Sequence, residues 1–487
     1  MTAAEIIQEE DNMKRLVLFT FISLFLLIAE GYSQTLLDIQ RLGTGFSGVS
    51  ARAAGLGNSY TAISDDGAGM FYNPAGIGLI RKFEFSGGFN YNNFGNTADF
   101  LGKSTEYSNS STKIDNFAFV IPFPTVRGSL VFGVGYNNIT DFNYALKFSG
   151  FNNGSTSMIQ DMNVYSEIPY ELYLTDDNYN TQIAGRLNQS GSTLNSGSLG
   201  LWTFSGSIEA AQDLFLGASL GFINGSFAGS REYYEDDLQG VYKNVELAPG
   251  YAFTKDFRTF YLNQLLNWDI GGYDLKIGML YKLKNFARVG VTIQFPRTVS
   301  IKETYSVNAY TDWGDGTRKE IATEDYTYKS EYDIIQPYKM TAGASANFKG
   351  LIASAEVTLT DYTQTKMENT KGIQAGDVAA LNKDIKDYMR AVLDYNFGVE
   401  YTIPDPGFRI RAGFMTQKSA YKGDGSDYDR KYVTGGFGFL VDNSVSFDVA
   451  YVRGFWNDYG DNYGSGVSRY FQSVTTDKVI LSFGYRF

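Results

Sequence analysis

The chain has 487 residues, carries 53 acidic against 41 basic side chains for a net charge of −12, and contains neither Cys nor His. The acidic balance, with no basic stripe, argues against nucleic acid as a partner, because a phosphate backbone needs clustered Lys and Arg to replace its counterions. The absence of Cys and His removes disulfides, thiolate and imidazole metal ligands and the common nucleophile–base pairs, so no metal, cofactor or catalytic centre is expected and the chain does not read as an enzyme.

In chain order, the first signal is Lys14 and Arg15, then an apolar run over 16–29, then Gly31, Tyr32 and Ser33. This reads as a signal peptide over 1–33 with its true start at Met13. A run of about 14 apolar residues is too short for a spanning helix, and no later stretch is long and apolar enough either. The segment that follows, 34–82, has neither helical nor strand periodicity. Within it, residues 52–77 are Gly-rich and interrupted at every apolar pair. The GxGxxG pattern at Gly43, Gly45 and Gly48 lacks a preceding strand and a following amphipathic helix, so it reads as flexible leader and not as a dinucleotide site.

From Phe83 onward the pattern is alternation with period two. Phe83, Phe85, Phe89 and Tyr91 fall on one face, and Glu84, Ser86, Asn90 and Asn92 on the other. Similar runs recur over 117–123, 129–149, 202–210, 214–222, 273–281, 287–295, 338–348, 351–362, 390–401, 408–416, 431–439, 445–456 and 478–487. The connectors alternate in length. Those at 124–128, 211–213, 282–285, 347–350, 404–407 and 441–444 are tight, and those at 93–113, 150–200, 229–272, 305–327, 363–388, 420–429 and 457–476 are long and polar. Transmembrane barrels sort their connectors in this way. The expected fold is therefore all-β, a transmembrane antiparallel β-barrel of about 14 strands over 83–487, with 34–82 as an N-terminal plug inside the lumen. Residues 261–268 and 378–389 carry helix-like apolar spacing and are expected to form helices at the outer mouth. Acidic clusters at Asp312/Asp315, Asp424/Asp427/Asp429 and Asp458/Asp461 do not fit the spacing of a helix–loop–helix calcium site and read as solvated loops.

The plug residues can be read physically. Pro74 fixes its own φ and restricts Asn73, while Ala75 and Gly76 permit close approach to the wall. Asn73 can bridge plug backbone to barrel side chains. Asp65 and Asp66 can accept the N–H groups of the following turn or pair with basic residues of the lumen. In strand 129–149 the apolar face is broken by Asn138 and Thr140, with Asp141 adjacent, which marks either a kink or the outer interface.

Gly55-Leu56-Gly57, the acidic turn at Asp65-Asp66 and Asn73-Pro74-Ala75, in this order and spacing, resemble the plug of the FadL/TodX-type family of outer-membrane channels for long-chain fatty acids and other hydrophobic molecules. Phe483, Tyr485 and the terminal Phe487 resemble the C-terminal signature read by the barrel-assembly machinery. The resemblance implies a monomeric barrel in the outer membrane of a Gram-negative bacterium, among lipid and lipopolysaccharide. It implies passive passage of a hydrophobic small molecule, such as a long-chain fatty acid or an aromatic hydrocarbon. Plug movement would admit the ligand, and a gap at the kink near Asn138, Thr140 and Asp141 would release it sideways. A rival comes from Ser50 to Gly55, SARAAG, which is similar to the plug-region opening of the shuttle subunit of type IX secretion, a protein-interaction barrel. A continuous apolar pocket beside Asn73 is the feature expected of the transport barrel, whereas the shuttle is expected to be tightly filled there.

Overall fold

Because successive side chains of a strand point to opposite faces, the alternating runs can satisfy a lipid face and a polar interior only by closing on themselves. The computed structural model describes residues 36–43, 48–284, 286–404, 407–442 and 444–487. The expected signal peptide at 1–33 and the leader residues 44–47 lie outside the described residues.

The strands are β1 (Glu84–Phe100), β2 (Lys103–Phe123), β3 (Leu130–Asp141), β4 (Tyr144–Asn152), β5 (Leu187–Ala211), β6 (Leu214–Asp236), β7 (Phe257–Leu283), β8 (Ala287–Gln294), β9 (Thr298–Trp313) and β10 (Arg318–Glu320). They continue as β11 (Thr327–Ile335), β12 (Lys339–Phe348), β13 (Leu351–Asp361), β14 (Lys366–Lys371), β15 (Ala391–Ile403), β16 (Phe408–Gln417), β17 (Arg430–Val441), β18 (Val445–Asp461) and β19 (Arg469–Arg486). Four staves are interrupted pairs, β3–β4, β8–β9, β11–β12 and β13–β14, and β10 pairs only with the upper end of β9. The result is a closed antiparallel barrel of 14 staves, sealed by β1 against β19 from Glu84↔Arg486 to Asp99↔Phe471.

The apolar face of the alternation is the outer one. Phe85, Phe89, Phe132, Phe204, Leu220, Phe222, Ile277, Phe397, Val433 and Leu481 are all exposed around the wall, an apolar band with aromatic members as expected of a lipid-facing surface. Phe483, Tyr485 and Phe487 lie on the same outer face, and Phe487 stacks on Phe83 with ring centroids 5.6 Å apart.

Several strands are much longer than the bilayer. β5, β6 and β7 have 25, 23 and 27 residues, whereas about 10 residues cross the hydrocarbon core. Their outer halves continue as a polar sheet above the membrane. This corrects the expected loop boundaries. The stretch 93–113 is a hairpin closed by Leu101 and Gly102, with φ of 48° and 78°, and strand also occupies 187–200 of the stretch 150–200 and much of 229–272 and 305–327. The helix expected at 261–268 is also corrected. These residues lie within β7 and are paired on both sides, with β6 and with β9. Leu262, Leu265 and Leu266 have helical spacing, but Phe260, Leu262, Trp268 and Ile270 bury one face of a two-residue repeat. Ladder bonds on both edges override the local preference. The helix expected at 378–389 forms as Ala375–Tyr388, with Ile385 fully buried.

Above the barrel, loops between β4 and β5 and between β6 and β7 cover the mouth. Met158, Ile159, Leu172, Leu174 and Leu247 pack onto Phe257, Phe260 and Trp313. Glu235 ties this cap down by accepting from Met158 N at 2.9 Å, Gln189 Nε2 at 2.8 Å and the Tyr233 hydroxyl at 3.0 Å.

The band predicts that Leu220→Arg, placed on the outer face near mid-membrane, lowers barrel stability by roughly 2–4 kcal/mol. Urea unfolding in lipid vesicles measures it.

Candidate functional site

Residues 48–82 run inside the barrel, held by side chains that the wall projects inward. Ser50 sits at φ 69° and caps the short helix Ala51–Gly55. Its N–H donates to Asp115 Oδ2 at 2.8 Å, and Ala51 N donates to Ser482 Oγ at 2.8 Å. Glu356 of β13 accepts from the backbone of Tyr60 and Thr61 at 3.1 and 2.8 Å, and Glu84 of β1 accepts from Gly67 N at 2.6 Å. Backbone that forms no ladder inside a membrane protein needs such partners. Here carboxylates of the wall supply many of them.

The segment is also fastened by charge. Arg52 donates to Asp65 at 2.6 Å and to Glu400 at 3.1 Å, and Arg411 donates to Glu400 and to Asp448, each at 2.6 Å. Arg288 reaches Asp65 from β8 at 3.0 Å. Signs alternate along the chain of contacts, and the Arg411 and Glu400 side chains are 0% and 1% exposed. Burial alone would raise the Asp65 carboxyl, but the Arg52 and Arg288 guanidiniums outweigh it and hold the group well below the usual carboxylate range. Asp66 accepts from the Tyr60 hydroxyl at 2.6 Å and from Ala68 N at 3.1 Å, a turn closed on its own carboxylate.

Asn73 is fully buried, in extended conformation before Pro74, which begins a 3-10 turn over Pro74–Leu79. Its amide donates to Thr61 O at 2.9 Å and Met279 O at 3.1 Å, and its Oδ1 accepts from Ala75 N at 3.1 Å. Asn73 therefore joins the inner segment to wall backbone, where wall side chains were expected. The wall is bare where this happens. A Cβ at Gly278 would collide with Asn73 Oδ1, one at Gly217 with the Pro74–Ala75 backbone, and one at Gly413 with Gly57 N. Gly57 itself has φ 59°, which explains a glycine at the end of Gly55-Leu56-Gly57.

Two cavities lie above the inner segment, and the helix Leu36–Gly43 lies between them. The upper one, about 450 Å³, is bounded by Asp38 and Arg41 of this helix, by Asp141 and Tyr144 of the wall, and by Trp456 and Lys478. The lower one, about 170 Å³, is bounded by Leu42, Tyr72, Ile139 and Thr140 and by a basic group, Lys276, Arg297, Lys339 and Lys418, against the carboxylates Glu356 and Asp394. Hydroxyls of Thr61, Thr292, Thr341, Thr358 and Thr360 line much of the remainder. The apolar pocket expected beside Asn73 is replaced by packed wall, and the space over the inner segment is polar and basic. Apolar lining is concentrated around the helix, where Ile39 and Leu42 pack with Ile139, Phe142, Leu199, Phe227 and Trp268.

Both cavities touch the joint between β3 and β4. The β2–β3 ladder ends at Asn116↔Asn137. The β3–β5 register then slips between Asn138 and Thr140, β3 ends at Asp141, and Ile139 and Phe142 turn inward. β4 resumes at Tyr144 and pairs with β5. Asn138, Thr140 and Asp141 lie at this register slip and strand end.

The structure brings together Gly57, Asp65, Asp66, Asn73, Pro74 and Ala75 as one docked unit, separate from the β3–β4 joint and from the outward Phe483, Tyr485 and Phe487. Sequence reasoning missed Arg52, Glu356, Glu400, Arg411 and the wall glycines. Glu400 between Val399 and Tyr401, and Arg411 between Ile410 and Ala412, were available signals: an ionisable residue at the inward position of a spanning strand marks a structural or functional contact. Two substitutions test the docking. Gly278→Ala is expected to destabilise by roughly 1–3 kcal/mol through overpacking against Asn73, whereas Gly271→Ala, where a Cβ meets open space, leaves stability unchanged. Thermal unfolding of both variants checks it.

No family model and no curated protein matches the sequence. Among solved structures, the toluene transporter TodX of Pseudomonas putida is similar over 91% of this chain and 99% of its own, at 13% identity with a TM-score of 0.55. A FadL homologue of Pseudomonas aeruginosa is similar over 91% and 99%, at 14% identity with a TM-score of 0.55. At such identities the likeness is one of fold, and the chain has the fold of the FadL/TodX-type outer-membrane transporters.

Proposed function

We propose that the protein is an outer-membrane channel of a Gram-negative bacterium that takes up hydrophobic small molecules passively, with residues 48–82 as its plug, and that its preferred ligand is an amphiphile with an anionic head, such as a long-chain fatty acid. The observation that carries this reading is the pair of cavities stacked above the plug, both opening on the interrupted stave β3–β4. A compound entering from outside meets Tyr144 and Trp456 in the upper cavity, then the basic, hydroxyl-lined lower one. Lys339 has no salt-bridge partner among the described residues, and with Lys276 and Lys418 it suits a carboxylate better than it suits a neutral ring. This favours a fatty acid over toluene, the compound named for the similar solved structure.

Passage requires the plug to shift. The ion pairs of Arg52 and Asp65 and the amide of Asn73 are the contacts that such a movement would exchange. The β3–β4 joint provides the sideways exit into the membrane, sparing an apolar tail the crossing of the ion-pair network that fastens the plug.

The test is uptake by cells that lack their own channels for these compounds and express this chain. Labelled long-chain fatty acid is expected to enter faster than in cells without the protein, with toluene entering no faster. Lys339→Met is expected to weaken fatty-acid binding about tenfold, the worth of one charge-assisted hydrogen bond. Uptake of neither compound, or of toluene alone, overturns the reading.

A further inference from the structure

The joint in the wall is spanned by side chains. Over residues 103–115, β2 pairs with β1, while its edge toward β4 carries no ladder among the described residues, because β2–β3 pairing stops at Asn116 and β4 pairs with β5. Asp141, the last residue of β3, faces this edge. It accepts from Lys113 Nζ at 2.5 Å, from Ser111 Oγ at 2.8 Å and from Asn92 Nδ2 at 3.1 Å, and its other near contact is Asn143 N at 3.0 Å. Asn143 adds a second tie, donating to Asn109 O at 2.8 Å. The Lys113 amino group also donates to the Gly197 carbonyl of β5, so it reaches from β2 across the joint to the strand beyond.

Three features set this cluster apart from an ordinary surface pair. It lies where the main-chain ladder is missing, so it supplies cohesion that the ladder supplies elsewhere. It is sheltered, with Lys113 and Asp141 side chains 19% and 11% exposed, which makes the pair stronger than a solvated one. And it borders the ligand space: Asn92, Asp141 and Asn143 line the upper cavity, and the adjacent Thr140 lines the lower one.

The geometry points to a charge-selective latch. Asp141 on Lys113 holds the β2–β4 gap shut, and an amphiphile bearing a carboxylate or another anionic head opens it by taking the place of Asp141 on Lys113. This rests on the channel reading above and adds its exit step. Lys113 then discriminates at the wall, since a neutral hydrocarbon has no group with which to displace a carboxylate. The exchange adds one negative charge to the site: Lys113 keeps an anionic partner, while the displaced Asp141 carboxylate keeps the N–H of Asn143 and faces the upper cavity that it lines. Lys113 is therefore never left as an unpaired charge beside the bilayer.

The absence of Cys from the chain permits a direct test. Thr140→Cys places one thiol just inside the gap, and the full-length barrel is reconstituted in phosphatidylcholine vesicles carrying a maleimide on an acyl chain, so that the reagent arrives only from the membrane. Labelling is expected to be slow with the latch intact and about tenfold faster with Asp141→Asn added, the ratio expected for loss of a sheltered ion pair. The exchanged pair Lys113→Asp with Asp141→Lys is expected to restore slow labelling, which loss of fold would not do. Laurate is expected to speed labelling of the intact latch, and toluene to leave it unchanged. Equal rates in the intact and Asp141→Asn proteins, or equal effects of laurate and toluene, overturn the latch. This readout needs no transport. Expected labelling without cellular uptake leaves the latch standing and removes the channel reading, whereas uptake with unresponsive labelling does the reverse.

Discussion

The structure depends on one constraint: backbone N–H and C=O groups within a bilayer must find partners in the protein, because no water is there to accept them. Closure of β1 on β19 meets this for the wall. It also fixes the character of the interior, since an outward apolar face obliges the alternate residues to point inward, and these are Ser, Thr, Asn, Glu, Lys and Arg more often than aliphatic residues. A lumen so lined is polar before anything enters it. The inner segment exploits this, as its irregular backbone is capped by Glu84, Asp115, Glu356, Ser207 and Ser482 instead of by a ladder of its own.

Charge and shape divide the work of holding that segment. The run Asp65, Arg52, Glu400, Arg411, Asp448 alternates in sign, so each buried charge faces an opposite one and the desolvation cost of each is offset by its neighbours. Such a network gives register more than net stability. Shape enters through glycines on the inner face, where the Asn73–Ala75 turn rests on bare backbone at Gly217 and Gly278. The hydrogen bonds and ion pairs of this contact can be exchanged for another set, whereas the apolar packing beside them, Met70, Ile77 and Ile80 on Ala118, Val120 and Val131 and Ala51 and Ala54 on Met415, Tyr432 and Ile480, has to be given up in any shift. The same reasoning applies to the wall. Where β2 and β4 lack a ladder, side chains substitute, and side-chain bonds can be broken without unravelling a strand.

How much of this could be read beforehand follows from the range of each interaction. Strands with an apolar outer face announce themselves, because lipid imposes alternation on ten or so consecutive residues. The same strands above the membrane do not, since water on both faces removes the alternation. The polar hairpin closed by Leu101 and Gly102 therefore looked like a loop, and Lys113 within it carried no signal. Tyr261 to Trp268 misled because leucines at helical spacing meet a local test for helix, while the decisive bonds come from Tyr234 and Tyr310, far along the chain. The turns of the inner segment were legible because Pro74, Gly57 and the Asp66 turn act within a few residues of themselves. Their partners were not: Arg52 meets Glu400 across 348 positions, and nothing local to either names the other. The bulge at Asn138 and Thr140 was readable as polar residues on an apolar face, though kink and interface share that pattern until the β3–β5 register is seen.

The central claim is that the lumen above residues 48–82 is a ligand path for an anionic amphiphile. It is tested most directly by extracting the barrel gently from the membranes of cells that make it and weighing what remains bound, by native mass spectrometry of lipids and proteins together. The account predicts a near-stoichiometric acidic amphiphile that is lost in Lys339→Met. An empty barrel that instead retains a reproducible protein partner on its external loops would contradict it and favour the secretion-shuttle reading.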